Sequence, residues 1–323
     1  MNTPRFAAID IGSNTFRLLI AEKDSSLNPI TPWKIIAYSH HIVRLGEGLH
    51  ESEKLCDAAM QRALLAFHDF AKLLTQHHIN SSGQYMAVAT AAMREARNGQ
   101  SFCQQVFEQT NIHIQIIDGN DEARMSLAGS CAVLPASKRD DMLLFDIGGG
   151  STEFTRAKNN QCMDSISRKL GVVRLVEAHL HSNPPSPDDY AAIKRTCHTH
   201  LDAVEKHWQQ QSSNNTTPPK HMIGTAGTVT TLAAIDLNMS DYKVELINNH
   251  SISKQHFFTL RDKLLSLTLA QRQAIPAIEH GRADLMIAGL AIIECIFERW
   301  HYEEMVVVDA GLLEGVWLNL SKN

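Results

Sequence analysis

A short apolar run that ends in three consecutive glycines is the pattern around which the sequence is organised. Residues 142–145 are all hydrophobic and predict a buried strand. Asp146 and the glycines at 148–150 follow, and residues 153–157 alternate enough to predict a returning strand. The pattern therefore predicts a tight hairpin with the glycines at its tip.

The same pattern occurs near the start of the sequence. An apolar run at 6–9 leads into Asp10, small and polar residues follow at 12–15, and residues 17–21 predict the returning strand. Two such hairpins in one chain indicate an internal duplication, with one hairpin in each domain. A single glycine-rich loop would favour an ordinary turn, and it is the second copy that favours a functional interpretation.

The spacing of apolar residues predicts long helices between the strands. One helix is predicted from Ser52, as its N-cap, to about His77, with a buried face formed by Leu55, Ala59, Ala63, Phe67, Phe70 and Leu74. Residues 209–219 are polar and predict a surface loop. Further strands are predicted at 33–41, 85–89, 112–117 and 305–308, and further helices at 188–210, 253–266, 283–300 and 312–320.

The glycine-rich hairpins have the composition of phosphate-binding loops. Glycine has no Cβ, so backbone N–H groups at 148–150 can approach an anion closely, and the Ser151 and Thr152 hydroxyls suit phosphate oxygens. Asp146 and Glu153 flank the tip, and carboxylates beside a phosphate-binding loop commonly hold Mg²⁺. A third glycine element, at residues 223–228, lies between a short strand and a helix rich in threonine, leucine and alanine.

Composition narrows the class of protein. A chain of 323 residues predicts two domains, and 44% hydrophobic with 20% charged residues is ordinary for a globular protein. The net charge of −5 argues against nucleic-acid or membrane partners and requires any attraction for a polyanion to be local. Six cysteines without a CxxC pair, and no secretory segment, predict reduced thiols in the cytoplasm. The longest apolar run, at 285–293, is too short to cross a bilayer.

The three glycine elements together resemble the actin–Hsp70–sugar kinase superfold, in which duplicated domains bind phosphates in a cleft. Residues 118–124, Asp-Gly-Asn-Asp-Glu-Ala-Arg, resemble the Ser-Gly-x-Glu-Glu-Ala-Arg segment of the exopolyphosphatase/guanosine pentaphosphate phosphohydrolase (Ppx/GppA) family. Residues 89–96 and 311–315 resemble the same family, so five motifs in order extend from about Phe6 to Val316. Asp118 and Asp121 depart from the family segment, which has serine and glutamate there.

The resemblance implies two α/β domains of the actin-like, ribonuclease H-like type with an interdomain cleft. Each domain would be built on a mixed sheet that begins with one hairpin. Domain I would comprise residues 1–120 with a closing helix in 309–323, and domain II residues 121–308. Some family members carry a further C-terminal HD-type region, and this sequence resembles the short, two-domain form.

The resemblance also implies a Mg²⁺-dependent phosphohydrolase that releases the terminal phosphate from inorganic polyphosphate, guanosine pentaphosphate, or both. Glu122 matches the family's catalytic glutamate, with Glu153 as a second candidate. Asp146 and Glu153 would bind the metal, with Asp10 facing them. The implied phosphate-binding residues are Gly12, Ser13, Asn14, Thr15, Arg94, Gly148, Gly149, Gly150, Ser151, Gly227, Thr228 and Arg282.

Several of these assignments have structural alternatives. An acidic residue such as Glu122 is expected in the first turn of a helix from the helix dipole alone. Arg282 is either a phosphate ligand or a surface residue, and Arg17 is a weaker candidate because its strand position can face solvent. Cys197, His198 and His200 include metal-binding residue types, but their positions on one helix do not converge.

Two other functions remain open from the sequence. One is an ATP-dependent kinase or ATPase of the same superfold, and the other is a non-catalytic sensor that binds guanosine penta- or tetraphosphate. A homodimer is also possible. Because Arg94, Arg17 and Arg282 offer only a short basic strip, we expect a distributive enzyme with modest preference for long polyphosphate chains.

Overall fold

The computed structural model describes residues 3–24, 31–79, 81, 83–211 and 217–322. The chain forms two compact units, Met1–Val133 with Ala310–Asn323, and Leu134–Asp309. The central part of the predicted polar loop at 209–219 lies outside the described residues. Among the described helices, none combines the length and apolar character needed to span a bilayer.

The first unit contains a five-stranded mixed sheet of order β3-β2-β1-β4-β5. The first three strands are antiparallel neighbours, while β4 pairs in parallel with β1 and with β5. The strands are β1 (Arg5–Ile11), β2 (Thr15–Lys23), β3 (Trp33–Ile42), β4 (Tyr85–Ala89) and β5 (Ile114–Ile116). The helices are α1 (Leu49–Ser52), α2 (Asp57–Gln76), α3 (Ala91–Glu95), α4 (Gly99–Thr110) and α5 (Gly119–Val133).

The second unit contains a six-stranded sheet of order β10-β11-β9-β6-β7-β8. Its strands are β6 (Met142–Ile147), β7 (Thr152–Lys158), β8 (Gln161–Arg168), β9 (His221–Thr225), β10 (His250–Ser253) and β11 (Glu304–Val307). Its helices are α6 (Val172–His179), α7 (Pro187–Gln211), α8 (Gly227–Asp236), α9 (Val244–Ile247), α10 (Lys254–Ser266), α11 (Leu269–Gln273) and α12 (Met286–Trp300), with a short 3₁₀ turn at Ala136–Lys138.

The two sheets repeat one topology. Taken in the direction β8-β7-β6-β9-β11, the second sheet has the same order and the same strand directions as the first, with β10 added at one edge. Each sheet contains one of the two predicted hairpins, β1–β2 or β6–β7, at corresponding positions. The structure therefore contains the duplication that the repeated sequence pattern predicts.

The predicted N-cap of the long helix is wrong. Ser52 closes the separate short helix α1, and its hydroxyl donates to the Gly48 carbonyl at 2.8 Å. Glu53 then adopts a left-handed conformation with φ 55°, which ends that helix. The long helix α2 begins only after Cys56, although the apolar face predicted for it is buried.

The last helix, α13 (Leu312–Leu320), belongs to the first unit. Its backbone lies directly against α5, because a Cβ on Gly129 would be 2.0 Å from the Gly311 carbonyl oxygen and one on Gly315 would be 1.8 Å from that of Met125. Because of this packing, the whole of α5 belongs to the first unit. The units consequently divide at 133/134, one helix later than the predicted boundary at 120/121.

Most of the apolar run at 285–293 lies in α12, the most deeply buried helix of the second unit. In α12, every residue from Met286 to Phe297 is buried, and a core cluster surrounds it. Its one buried charged residue, Glu294, is paired with Lys194 and Arg261. A helix that is otherwise apolar and buried along this length is a core helix.

Candidate active site

The tips of the two hairpins have the same backbone geometry. The Gly12 N–H donates to the Thr15 carbonyl at 3.1 Å, and the Gly148 N–H donates to the Ser151 carbonyl at 2.9 Å. A Cβ on Gly12 would lie 2.9 Å from the Thr15 oxygen, and one on Gly148 would lie 3.1 Å from the Ser151 oxygen. The close approach explains why both loops begin with glycine.

The tip in the second unit is held from behind by the start of α6. The N–H groups of Val172 and Val173 donate to the carbonyls of Gly148 and Gly149 at 3.1 and 2.9 Å. In a trans peptide the N–H of the next residue points opposite to the carbonyl, and these peptides are trans. The N–H groups of Gly149 and Gly150 therefore point together away from α6, which is the arrangement that binds an anion.

The tip in the first unit is held in a similar way by the loop after β3. The Gly46 N–H donates to the Ser13 carbonyl at 2.8 Å, and the N–H groups of Val43 and Arg44 both donate to the Asn14 carbonyl at 2.9 Å. The sequence predicts a loop with two glycines at 44–49 but does not reveal its supporting role. Its only local signal is Gly46, where a Cβ would lie 3.2 Å from that of Ser13.

The carboxylates of the second hairpin lie opposite each other. Asp146 on β6 pairs in register with Glu153 on β7, and paired residues of neighbouring strands share one face of the sheet. Glu153 is buried, and its Oε1 accepts hydrogen bonds from Ser151 Oγ at 2.8 Å and Ser167 Oγ at 2.7 Å. Ser167 lies on β8, a strand that the sequence pattern did not predict, so its role was also missed.

The corresponding positions of the first hairpin carry opposite charges instead. Asp10 pairs in register with Arg17, and Arg17 Nε and Nη2 donate to Asp10 Oδ2 at 3.0 and 2.6 Å. Burial lowers the pKa of the Arg17 guanidinium, but the charges of Asp10 and then Glu314 raise it by more, so its pKa lies above the ordinary value. Arg17 is thus engaged with Asp10 and does not project freely into solvent.

This difference bears on the predicted metal ligands. Mg²⁺ prefers oxygen ligands, and the pair Asp146 and Glu153 presents two carboxylates without an arginine at the equivalent position. These residues fit a Mg²⁺ ion. The charge of Asp10 is already balanced by that of Arg17, so a metal ion bound to Asp10 would compete with the guanidinium. The role of Asp10 as a metal ligand stays a prediction.

The remaining candidate residues of the first unit lie at the carboxyl edge of its parallel strands. Ile11 of β1 is in register with Ala89 of β4, and Ala89 with Ile116 of β5. The segments that follow these strands carry the first hairpin tip, Arg94 and Glu122. The sheet therefore brings three motifs from distant parts of the sequence to one edge.

Glu122 and Arg94 are in direct contact. Arg94 Nη1 donates to Glu122 Oε2 at 3.2 Å and to the Ile117 carbonyl at 2.8 Å. Glu122 is 7% exposed and lies in the first turn of α5. The sequence allows either Asp118 or Asn120 as the cap of this helix, and in the structure Asp118 Oδ1 accepts from the N–H groups of Asn120 and Asp121 at 2.9 and 2.8 Å. The helix start and the arginine together fix the carboxylate.

The third glycine element follows β9, whose Thr225 is in register with Asp146 of β6. The Arg282 guanidinium lies directly against this element, because a Cβ on Gly227 would be 1.8 Å from Arg282 Nη1. Arg282 Nε also donates to Glu279 Oε2 at 2.8 Å. The N-terminus of α8 and a positive charge are therefore adjacent within the second unit, as anion binding requires.

Thr228 has a different environment. Its side chain packs against α12, where a Cβ on Gly289 would lie 2.1 Å from Thr228 Cγ2 and 3.0 Å from Thr228 Oγ1. The group that Thr228 can offer to a phosphate is therefore its backbone N–H in the first turn of α8, rather than its hydroxyl.

The structure thus assembles the predicted residues into one set within each unit. The first set is Asp10, Gly12, Ser13, Asn14, Thr15, Arg94 and Glu122, and the second is Asp146, Gly148, Gly149, Gly150, Ser151, Glu153, Gly227, Thr228 and Arg282.

Comparison with known proteins identifies the family. A model of the Ppx/GppA phosphatase family matches residues 19–323. Exopolyphosphatase 2 of Mycobacterium tuberculosis is 29% identical over 330 residues, which cover 99% of this chain and 100% of that protein. The chain therefore belongs to the Ppx/GppA phosphatase family.

Solved structures agree with this assignment. An exopolyphosphatase from Cytophaga hutchinsonii has a TM-score of 0.87 at 27% identity, with 98% of both chains covered. The Ppx/GppA family member of Aquifex aeolicus has a TM-score of 0.79 at 25% identity, with 100% of this chain and 99% of that chain covered. These structures and the repeated sheet topology confirm the predicted fold class of two actin-like α/β domains.

Proposed function

We propose that the chain is a Mg²⁺-dependent phosphohydrolase that releases the terminal phosphate from inorganic polyphosphate, from guanosine pentaphosphate, or from both. The observation that carries this proposal is the contact between Glu122 and Arg94 at the edge where the first hairpin tip also lies. A carboxylate that can accept a proton stands there beside a guanidinium that can bind phosphate. The name of the mycobacterial relative supports polyphosphate as one substrate.

The backbone and the arginines would bind the phosphate chain. The N–H groups of Gly149 and Gly150 point in one direction and would donate to phosphate oxygens. Arg282 would add a planar, permanently charged donor beside the N-terminus of α8. Bound at Asp146 and Glu153, Mg²⁺ would neutralise phosphate charge. Ser151 and Ser167 would orient the Glu153 carboxylate through the hydrogen bonds to its Oε1.

Glu122 would act as the general base. Its carboxylate would accept a proton from a water molecule as the water oxygen forms a bond to the terminal phosphorus. The bond between that phosphorus and its bridging oxygen breaks, and the shortened chain leaves with the bridging oxygen. Because Arg94 also donates to the Ile117 carbonyl, the guanidinium would hold Glu122 in a fixed orientation while it binds phosphate. General-base catalysis of this kind contributes about 10²–10⁴-fold.

The test is orthophosphate release from three substrates at matched concentration, each with and without Mg²⁺. The substrates are long-chain polyphosphate, guanosine pentaphosphate and ATP. Mg²⁺-dependent release from either of the first two supports the proposal, and their ratio assigns the substrate. Rapid ATP turnover with no release from the other two would instead favour the kinase or ATPase alternative. Binding of guanosine penta- or tetraphosphate without turnover would favour a sensor.

The cytoplasmic location and the possible homodimer expected from the sequence stay predictions. Size-exclusion chromatography with light scattering would test the second.

A further inference from the structure

A cluster of metal-ligating side chains lies in the second unit between helices α7 and α12. His198 Nε2 of α7 is 3.7 Å from Cys295 Sγ and 3.6 Å from Glu298 Oε2, both of α12. The three ligand atoms all lie within 4.8 Å of one another. Cys295 is completely buried, while the side chains of His198 and Glu298 are 39% and 38% exposed. A cation can therefore reach the thiol from solvent past two ligands that are already in place.

The two separations from His198 match those around a tetrahedral zinc ion, and the ligand atoms of Cys295 and Glu298 lie within 4.8 Å of each other. With Zn–N near 2.05 Å, Zn–S near 2.3 Å and Zn–O near 2.1 Å, tetrahedral angles place nitrogen about 3.6 Å from sulfur and about 3.4 Å from oxygen. The corresponding distances to His198 are 3.7 and 3.6 Å. Only small rotations of exposed side chains would be needed to complete the coordination.

We propose that His198, Cys295 and Glu298 form a zinc-binding site that is separate from the phosphate-binding loops. A thiolate, an imidazole and a carboxylate form a donor set that suits Zn²⁺, whereas Mg²⁺ prefers oxygen ligands alone. Three protein ligands leave the fourth position for water or another small ligand.

The surrounding charges are compatible with a divalent cation. Lys194 Nζ donates to Glu298 Oε1 at 2.7 Å and to Glu294 Oε1 at 2.6 Å. Lys194 therefore occupies Oε1 of Glu298 and leaves Oε2 beside His198. The charges of Lys194 and Arg261 are offset by those of Glu294 and Asp262, so a thiolate and one carboxylate would neutralise the zinc ion.

The sequence alone does not reveal this site. Cys197, His198 and His200 share one helix and do not converge, as expected from their spacing. The site instead combines His198 with two residues three positions apart on another helix, and His198 and Cys295 are 97 positions apart in the sequence.

The experiment measures metal binding without any phosphate substrate, so its outcome does not depend on the proposed phosphohydrolase activity. The background protein carries Cys56→Ser and Cys162→Ser, which remove the two exposed thiols, and excess Mg²⁺ is present. Zn²⁺ affinity is measured by competition with a chromogenic chelator. Co²⁺ is used as a spectroscopic probe, because a thiolate–cobalt bond gives a charge-transfer band and a tetrahedral site gives intense visible bands.

We expect one equivalent of bound zinc and a thiolate band with cobalt. Cys295→Ser should abolish that band, and His198→Asn or Glu298→Gln should each weaken zinc binding at least ~10-fold. His301→Asn is the matched control, since it replaces an exposed histidine at the end of α12 whose left-handed backbone tolerates asparagine. The proposal is wrong if His198→Asn and Glu298→Gln, both folded by circular dichroism, bind zinc like the control, or if the cobalt complex lacks the thiolate band.

Discussion

Replacing Glu122 by glutamine tests the proposed general base most directly. The substitution removes the negative charge but keeps the length of the side chain and an oxygen that can accept from Arg94 Nη1. The Ile117 carbonyl continues to hold the same guanidinium. We expect kcat for orthophosphate release to fall by about 10²–10⁴-fold with little change in the fold.

The structure allows the cost in stability to be separated from the cost in catalysis. Loss of a carboxylate from the first turn of α5 removes a favourable dipole interaction of about 0.3–1 kcal/mol. Exchange of a charged for a neutral hydrogen bond to Arg94 adds about 1 kcal/mol. The total is well below the free energy of unfolding of an ordinary domain, about 5–15 kcal/mol, so the variant should remain folded. A 10²–10⁴-fold loss of kcat corresponds to about 2.7–5.4 kcal/mol in the barrier, and unfolding cannot account for it.

Asp121→Asn is the matched control. Asp121 occupies the same first turn of α5, and its carboxylate is paired with Arg124 on the exposed side of the helix. The control removes the same charge and should lower thermal stability by a similar amount, while kcat stays unchanged. Both variants are measured by steady-state phosphate release and by thermal denaturation. A loss below about tenfold for Glu122→Gln, or an equal loss for Asp121→Asn, would refute the assignment.

Four further predictions concern the loops and the substrate. Asp146→Asn should raise the Mg²⁺ concentration that gives half-maximal activity, because Mg²⁺ loses a carboxylate ligand, and a metal titration with unchanged midpoint would contradict this. Gly171→Ala should destabilise the protein by about 1–3 kcal/mol in denaturant titrations, because its Cβ would lie 2.2 Å from the Gly149 carbonyl oxygen. Ala226→Gly should stabilise the protein, because Ala226 has φ 74° and ψ 172°, a conformation that is strained for alanine. The release of about 1–3 kcal/mol of strain exceeds the ~0.5–1 kcal/mol entropy cost of glycine, and a lower Tm would count against this. Long-chain polyphosphate should shorten gradually on gels, with KM rising in salt and more steeply for longer chains; full-length chains persisting beside orthophosphate would indicate a processive enzyme.

The hairpins could be predicted because their signal is local. An apolar run, an Asp-Ile-Gly sequence and a second run are enough to define two antiparallel strands, and the copy defines the duplication. The start of α2 could not be predicted in this way. Ser52 has the residue type of an N-cap, but its hydroxyl accepts from the Lys54 N–H and donates to the carbonyl of Gly48, so it terminates a different helix. The local preference of serine for helix ends therefore indicates that a helix end lies near residue 52, but it does not show which helix ends there.

The candidate site also combines features that could be predicted from the sequence with features that could not. The residue types at the two hairpin tips could be predicted from their own sequence. The pairing of Arg17 with Asp10 depends on cross-strand register, and the hydroxyl of Ser167 on β8 reaches Glu153 only through tertiary structure. Strand β8 itself escaped prediction because exposed and half-buried residues dominate it, so no apolar alternation marks it.

The packing of α13 against α5 has a consequence for protein synthesis. The helix that carries Glu122 is in backbone contact with a helix that the ribosome produces last of all the described elements, and Ser130 of α5 donates to the Ala310 carbonyl just before it. At about 5–20 residues per second, the roughly 180 residues between these helices take about 10–40 s to translate. During that interval the nascent chain presents an α5 whose face around Met125 and Gly129 is uncovered. The first domain can therefore complete its core only after the second has been synthesised, and a ribosome that stalls before Leu312 leaves behind a chain in which the helix carrying Glu122 lacks its packing partner.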